Sequence, residues 1–211
     1  MKVSVVVAVH NEDRYIGRCL RSLIRQNFDH DKFEIIVVDD GSDDKTPYAL
    51  ELFAGDIRVV THPENMGLPS AVNSGLEACA GEYVVRVDSD DYVNEHFLTI
   101  LCTYLDFNEE CAAVGCDYLL IDESETVLGR KSSIDEPIAC GIMFRHKMLR
   151  SVGKMNEKFL LNEEKEFRKR FEKKYVIENI PIPLYRYRRH DGNMTNDKEA
   201  LEKYNALLEL T

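Results

Sequence analysis

Three carboxylates fall within four residues at Asp88-Ser89-Asp90-Asp91, directly after the apolar run Tyr83 to Val87. If that run is a strand, side chains two apart share a face, so Asp88 and Asp90 point the same way. Like charges on one face repel unless a cation lies between them. A hard divalent ion with oxygen ligands, Mg²⁺ or Mn²⁺, suits such a pair and would share a substrate phosphate. The same residues also suit a solvated turn in which Asp91 or Asn94 caps the following helix. A second acidic group, Asp39-Asp40-Gly41-Ser42, ends the run Phe33 to Val38. Alone it reads as a tight turn with Gly41 at positive φ.

The elements around these groups decide between the readings. Val3 to Val9 is a continuous β-branched run, as in a strand buried on both faces. A helix follows, with Tyr15, Cys19 and Leu23 on one row and Ile16, Leu20 and Ile24 on the next. Phe33 to Val38 predicts a second strand, Ile57 to Thr61 a third and Tyr83 to Val87 a fourth, with helices between them to about Phe53 and over 69–80. Strand alternating with helix predicts an α/β fold with a mostly parallel sheet and right-handed crossovers. Ligands on such sheets sit beyond the carboxyl ends of the strands, which singles out the loops 8–12, 39–43 and 88–91. Both acidic groups fall there. Beyond Asn94 the pattern becomes α+β: a helix through Leu105, strand-like stretches near 112–121 and 125–129, and an apolar stretch at 138–144. A charged helix follows over 163–174, then a break at Pro181 and Pro183 before Leu184 to Tyr187, and a terminal helix from Lys198 to Leu210. No linker divides the 211 residues, which read as a single domain with halves 1–100 and 101–211.

Composition narrows the function. The net charge is −11, from 27 Lys and Arg against 38 Asp and Glu, which argues against a broad nucleic-acid-binding surface. Residues 1–100 carry 9 basic and 18 acidic side chains, so most of the excess lies in the half with the acidic loops. Within 145–175 the balance reverses, to 11 basic against 5 acidic, which suggests an anionic partner or a membrane surface. No apolar run approaches the ~20 residues of a membrane span, and no signal peptide is evident. The six cysteines show no CxxC pair and no zinc spacing, so they read as buried thiols of a reduced, cytoplasmic protein. The first strand is followed by Ala8-Val9-His10-Asn11-Glu12 without glycine, and GxxxxGK[ST] is absent, against dinucleotide-cradle and P-loop functions.

Four motifs in order carry a resemblance: Val3 to Glu12, Val37-Val38-Asp39-Asp40-Gly41-Ser42, Asn73-Ser74-Gly75 with Gly81-Glu82-Tyr83, and Asp88-Ser89-Asp90-Asp91. Together they resemble a family 2 glycosyltransferase, and the likeness continues through Val152-Gly153, Asn162 to Phe167 and Tyr187 to His190. The resemblance implies the GT-A fold, a Rossmann-like sheet flanked by helices with a smaller acceptor-side α+β portion, a nucleotide-sugar donor and a divalent metal. It places Ala8, Val9, His10 and Glu12 on the nucleotide, Asp40 on the base (uracil), Asp88 and Ser89 near ribose and metal, and Asp90 with Asp88 on Mn²⁺ or Mg²⁺. Glu164 falls where the family carries an Asp as catalytic base, while Asn162, Glu163 and Glu164 equally suit a capped helix start. Arg186, Arg188 and His190 are placed on the donor diphosphate, since phosphates among carboxylates need further positive charge. The family usually has Tyr at His10 and often Pro at Ala8.

The resemblance implies an inverting hexosyl- or N-acetylhexosaminyl-transferase acting on a hydroxyl of a glycan acceptor in polysaccharide synthesis, and the basic excess of 145–175 then suggests an anionic acceptor or a lipid-linked one at the inner face of a membrane. Processive members carry a QxxRW motif, and this chain has no Trp, so a single sugar is expected to be added per encounter. The competing reading is a nucleotide-sugar-binding module without transfer, which would bind donor with metal but neither transfer nor hydrolyse it. A sugar-nucleotide pyrophosphorylase would need a glycine-rich, Arg-containing first loop, which is missing.

Overall fold

The computed structural model describes residues 1–193 and 198–209. Four strands, Val3–Val9 (β1), Phe33–Asp39 (β2), Arg58–Thr61 (β3) and Tyr83–Arg86 (β4), lie parallel in the order β3-β2-β1-β4. Between them run helices Ile16–Ile24 (α1), Thr46–Glu51 (α2) and Leu68–Ala78 (α3). The unbroken Val run of β1 is explained by its two buried faces. Val5, Val7 and Val9 pack with Ile16, Leu20 and Leu23 in the main core, while Val6 meets Ile36, Val84 and Cys79 on the other side. Gly75 lets α3 lie against β1: a Cβ there would sit 2.4 Å from Val6 Cγ1.

After β4 come Tyr92–Val93 (β5), Phe97–Phe107 (α4), Ala113–Ile121 (β6), Val127–Lys131 (β7) and Met143–Arg145 (β8). His146–Val152 (α5), Glu163–Glu172 (α6), Ile177–Arg188 (β9) and Lys198–Glu209 (α7) complete the fold. β8 continues the sheet antiparallel to β4, and the nine strands form one sheet in the order β3-β2-β1-β4-β8-β6-β9-β5, with β7 paired to β6. The two halves of the chain therefore share a sheet, parallel in the first half and mixed in the second. The short strand β5 and the helix α5 have no counterpart in the sequence reading. Leu210, the expected end of the last helix, lies outside the described residues.

One expectation is corrected. Pro181 and Pro183 do not break the chain; β9 runs through both as a strand of 12 residues beside β6. The register shifts on either side of Asp117, which pairs with Pro183, and such irregularities accommodate residues without an N–H. All six cysteines are buried and free, filling space as small hydrophobes. No helix among the described residues is long and apolar enough to cross a membrane.

Candidate active site

The acidic loop after β4 is fastened from behind by β9. The Tyr185 hydroxyl accepts from the Asp88 N–H (3.1 Å) and donates to Asp91 Oδ2 (2.7 Å), while the Arg188 N–H donates to Asp91 Oδ1 (2.7 Å). Asp91, 1% exposed, thus has both oxygens engaged and serves as the loop's anchor. Burial, then Asp90 and Asp88, hold its carboxyl well above the usual range. Asp90 points elsewhere: its Oδ2 lies 3.0 Å from His190 Nε2 and accepts from Asn193 Nδ2 at 3.2 Å. Burial and Asp88 raise the Asp90 pKa, and His190 opposes the rise. Glu12, from the loop after β1, is pushed up to about 7 by burial and then by Asp90.

Carboxylates that raise one another's pKa in this way are relieved by a cation. Asp88, Asp91 and Cys140 each offer a ligand atom, all within 4.8 Å of one another. Burial keeps the Cys140 thiol protonated, raising its pKa well above the ordinary value, so the set favours a hard ion on oxygen over a thiolate-bound one. Asp90, expected as a ligand, is not in that group; the carboxylates of the loop, with Asp88 in it and Asp90 beside it, fit a hard divalent cation.

The base side of the site centres on Asp40, 3% exposed. Its N–H donates to the Val9 carbonyl (2.8 Å), and its carbonyl lies 2.9 Å from His10 Nδ1, so three residues expected on the nucleotide do meet. Ala8 and Val9 lie beside Val38 and Asp39 in the β1–β2 ladder. The Asp40 carboxylate, however, is already held: Oδ1 by His62 Nδ1 (2.6 Å) and the Met66 N–H (2.9 Å), Oδ2 by the Gly67 N–H (2.8 Å). His62 Nε2 in turn lies 2.9 Å from Ser74 Oγ. Asp40 therefore ties the segment 62–67 to the sheet end. Gly41 permits this closure, at φ 67 with a Cβ position only 2.3 Å from the Glu64 backbone.

On the opposite side, Arg86 binds two carboxylates at once: Nε to Asp88 Oδ1 (2.7 Å) and Nη1 to Glu163 Oε1 (3.1 Å). Burial opposes the Arg86 charge, but Asp88 and Glu163 outweigh it and hold the pKa well above normal. Burial lifts Glu163 to about 7 against the pull of Arg86. Glu163 is thus the structural member of its pair. Glu164 is half-buried, its carboxylate accepts no hydrogen bond from any described residue, and it lines a cavity that Arg86 also lines. Asn162, expected as a cap, instead adopts φ 60 without a capping bond, and its side chain donates to Asn205.

The three members of the basic group stand in different surroundings. Arg188 is 2% exposed, with its guanidinium spent on the carbonyls of Asp90 (2.8 Å), Asp122 (3.3 Å) and Glu123 (3.2 Å). Arg186 Nη1 donates to the Pro183 carbonyl at 2.8 Å, and its register partner Tyr92 lies in β5. Arg188 holds the acidic loop through its N–H and the Asp90 carbonyl, while His190 sets its ring against the Asp90 carboxylate. Ser89 is buried between its acidic neighbours. The sequence reading missed Arg86, His62 and Tyr185. Arg86 was detectable, standing two residues before Asp88 on the same strand face.

The sequence model of the family described as Glycosyl transferase family 2 matches residues 4–177. Glycosyltransferase GlyG of Streptococcus pneumoniae is 36% identical over 126 residues, covering 58% of this chain and 41% of GlyG. The poly(ribitol-phosphate) beta-N-acetylglucosaminyltransferase TarS of Staphylococcus aureus is 38% identical over 109 residues, 50% of this chain and 19% of TarS. The chain spans less than half the length of the curated relatives it matches. Among solved structures, S. aureus TarS 1-349 in complex with UDP-GlcNAc superposes with TM-score 0.83 at 23% identity, covering 100% of this chain and 66% of that one. The mannosyltransferase PcManGT from Pyrobaculum calidifontis, in complex with GDP-Man and Mn²⁺, gives 0.78 at 20% identity, covering 98% and 62%. These structural likenesses are a matter of fold, the GT-A fold.

Proposed function

The chain belongs to glycosyl transferase family 2, and on that premise we propose that it moves one hexosyl or N-acetylhexosaminyl unit from a UDP-sugar to a hydroxyl of a glycan or lipid-linked acceptor, with inversion. Residues 1–100 bind the donor and 101–211 the acceptor. The observation that carries this reading is the meeting of Glu12, Asp88 and Asp90 with His190 at the carboxyl ends of β1 and β4, next to the Arg86–Glu163 pair that leads to Glu164.

Asp90 and Asp88 would hold Mn²⁺ or Mg²⁺, which supplies a Lewis acid for the departing nucleoside diphosphate. Val9, His10 and Asp40 form the wall against which the nucleotide packs, with the base resting on the segment that Asp40 fastens. His190, which lies beside Asp90, would donate to a phosphate oxygen. Glu164 accepts the proton of the acceptor hydroxyl as its oxygen bonds the anomeric carbon. The bond from that carbon to the diphosphate oxygen breaks, and its electron pair leaves with the nucleotide. Arg86 keeps Glu163 in place and so fixes the first turn of α6 that presents Glu164.

The test is a thermal-shift panel of UDP, GDP, CDP and dTDP with and without Mn²⁺, run on the parent chain, Asp90→Ala and Glu164→Gln. UDP with Mn²⁺ should stabilise the parent and Glu164→Gln alike and leave Asp90→Ala unshifted, while only the parent transfers or hydrolyses a UDP-sugar. Full turnover by Glu164→Gln refutes the base assignment, and absence of turnover in the parent with donor bound favours the binding module.

A further inference from the structure

Protein interiors are close-packed, with few voids larger than a water molecule. This one departs from that rule beside Glu164. The apolar cluster of Ile142, Leu149 and Phe167 under α6 and the cluster of Val6 and Val84 under α3 are bridged by Leu76, which packs against both. Between them lies a cavity of about 80 Å³. Val6, Leu76, Val84, Phe167 and the segment Pro137 to Ala139 line it. Arg86, Glu164, Lys165 and Arg168 are the charged residues on its lining. Arg86 and Arg168 are paired, with Glu163 and Glu172, whereas Lys165 is exposed and has no hydrogen-bond or ion-pair partner among the described residues. The site thus combines an apolar interior, a carboxylate able to take a proton and a lysine open to an anion. Apolar cavities stay dry and take apolar guests.

Resting on the transferase reading above, we propose that the acceptor is amphiphilic: a hydroxyl compound with a compact apolar group that seats in this cavity and brings the hydroxyl to Glu164. Lys165 then faces whatever anionic portion the acceptor carries outside. A purely polar glycan would leave the cavity empty and lose its contribution. Filling 80 Å³ at the free energy that cavity volume represents corresponds to about 25-fold in affinity. The space is finite, so the gain should stop once it is full.

The probe is the series of straight-chain alcohols from methanol to 1-hexanol, titrated into the full chain carrying UDP and Mn²⁺. Binding is followed by methyl NMR shifts of Leu76, Ile142, Leu149 and Met155. Affinity should climb about 25-fold between methanol and 1-butanol and then level off, with saturable shifts confined to those methyls. The replacement Ala139→Phe should abolish the shifts while UDP still stabilises the protein. Non-saturating shifts, shifts scattered over other methyls, or an affinity that keeps rising through 1-hexanol would overturn the proposal. So would displacement of 1-butanol by UDP-GlcNAc but not by UDP-Glc, which assigns the cavity to the donor's acetamido group. The UDP thermal shift reads the transferase assignment separately, so loss of one result without the other identifies which inference failed.

Discussion

Replacing Arg86 by Met keeps an unbranched apolar stem and removes the guanidinium, leaving Asp88 and Glu163 without their shared partner. The two carboxylates differ in what they can do next. Asp88 is 25% exposed and can turn to water, whereas Glu163 is 4% exposed and cannot. Breaking a buried pair on one side costs about 3–5 kcal/mol because an unpaired charge remains. Glu163 has an escape, since its pKa is about 7 even with Arg86 beside it and rises further without it. Below neutrality the variant takes up a proton, and the loss should shrink to that of an ordinary hydrogen bond, about 1 kcal/mol. Urea denaturation at pH 8.5 should therefore show a loss of about 3 kcal/mol, and at pH 6 about 1 kcal/mol. Adding Glu163→Gln to Arg86→Met should recover about 2 kcal/mol at pH 8.5 and little at pH 6, as a double-mutant cycle reads it. Equal losses at both pH values, with no recovery from the second substitution, would refute the account of Arg86 as the neutralising partner of Glu163.

Tyr185→Phe leaves the buried Asp88 N–H and Asp91 Oδ2 each short of a partner and should destabilise by about 2–4 kcal/mol in thermal unfolding. His62→Ala removes one of three donors to Asp40; UDP affinity should fall about fivefold, with partial rescue by His62→Asn, as calorimetric titration would detect. Gly75→Ala drives a methyl into Val6 and should lower stability by about 1–3 kcal/mol, whereas the open position Gly129 should tolerate Ala in the same melt. Glu12 and Glu163 bind protons more tightly folded than unfolded, so their contribution is full below about 4.5 and is lost as pH rises through 7. The urea midpoint should accordingly fall between pH 5 and 8, and Glu12→Gln should flatten that fall; a slope unchanged in the variant would count against Glu12 as a source of it.

Much of the donor half is legible because β1, β2 and β4 are buried on both faces, and such strands appear as unbroken Val and Ile runs that need no periodicity. Once the strands are placed, the rule that ligands sit at their carboxyl ends finds the loops holding Glu12, Asp40 and Asp90. The rest depends on contacts distant in sequence. Arg86 meets Glu163 across 77 residues and Tyr185 meets Asp91 across 94, and neither pair leaves a local pattern. Arg188 and His190 look equivalent in a basic segment, yet Arg188 ends β9 with its guanidinium against carbonyls, while His190, two residues past the strand, lies beside Asp90. The prolines of β9 mislead because local chemistry favours a break, and a register shift against β6 overrides it.

The placement of β9 has a consequence for how the protein is made. The acidic loop is in the first half of the chain, but the hydroxyl and the amide that hold it in shape belong to Tyr185 and Arg188, synthesised almost a hundred residues later. A nascent chain can pair β1 with β2 and β4 while still on the ribosome, since folding proceeds from the N-terminal side during synthesis. Its carboxylates then stand in a loop with no fixed geometry until β9 threads between β6 and β5. Competence to hold a cation and a nucleotide should therefore arrive late and all at once, when the last strand enters the sheet.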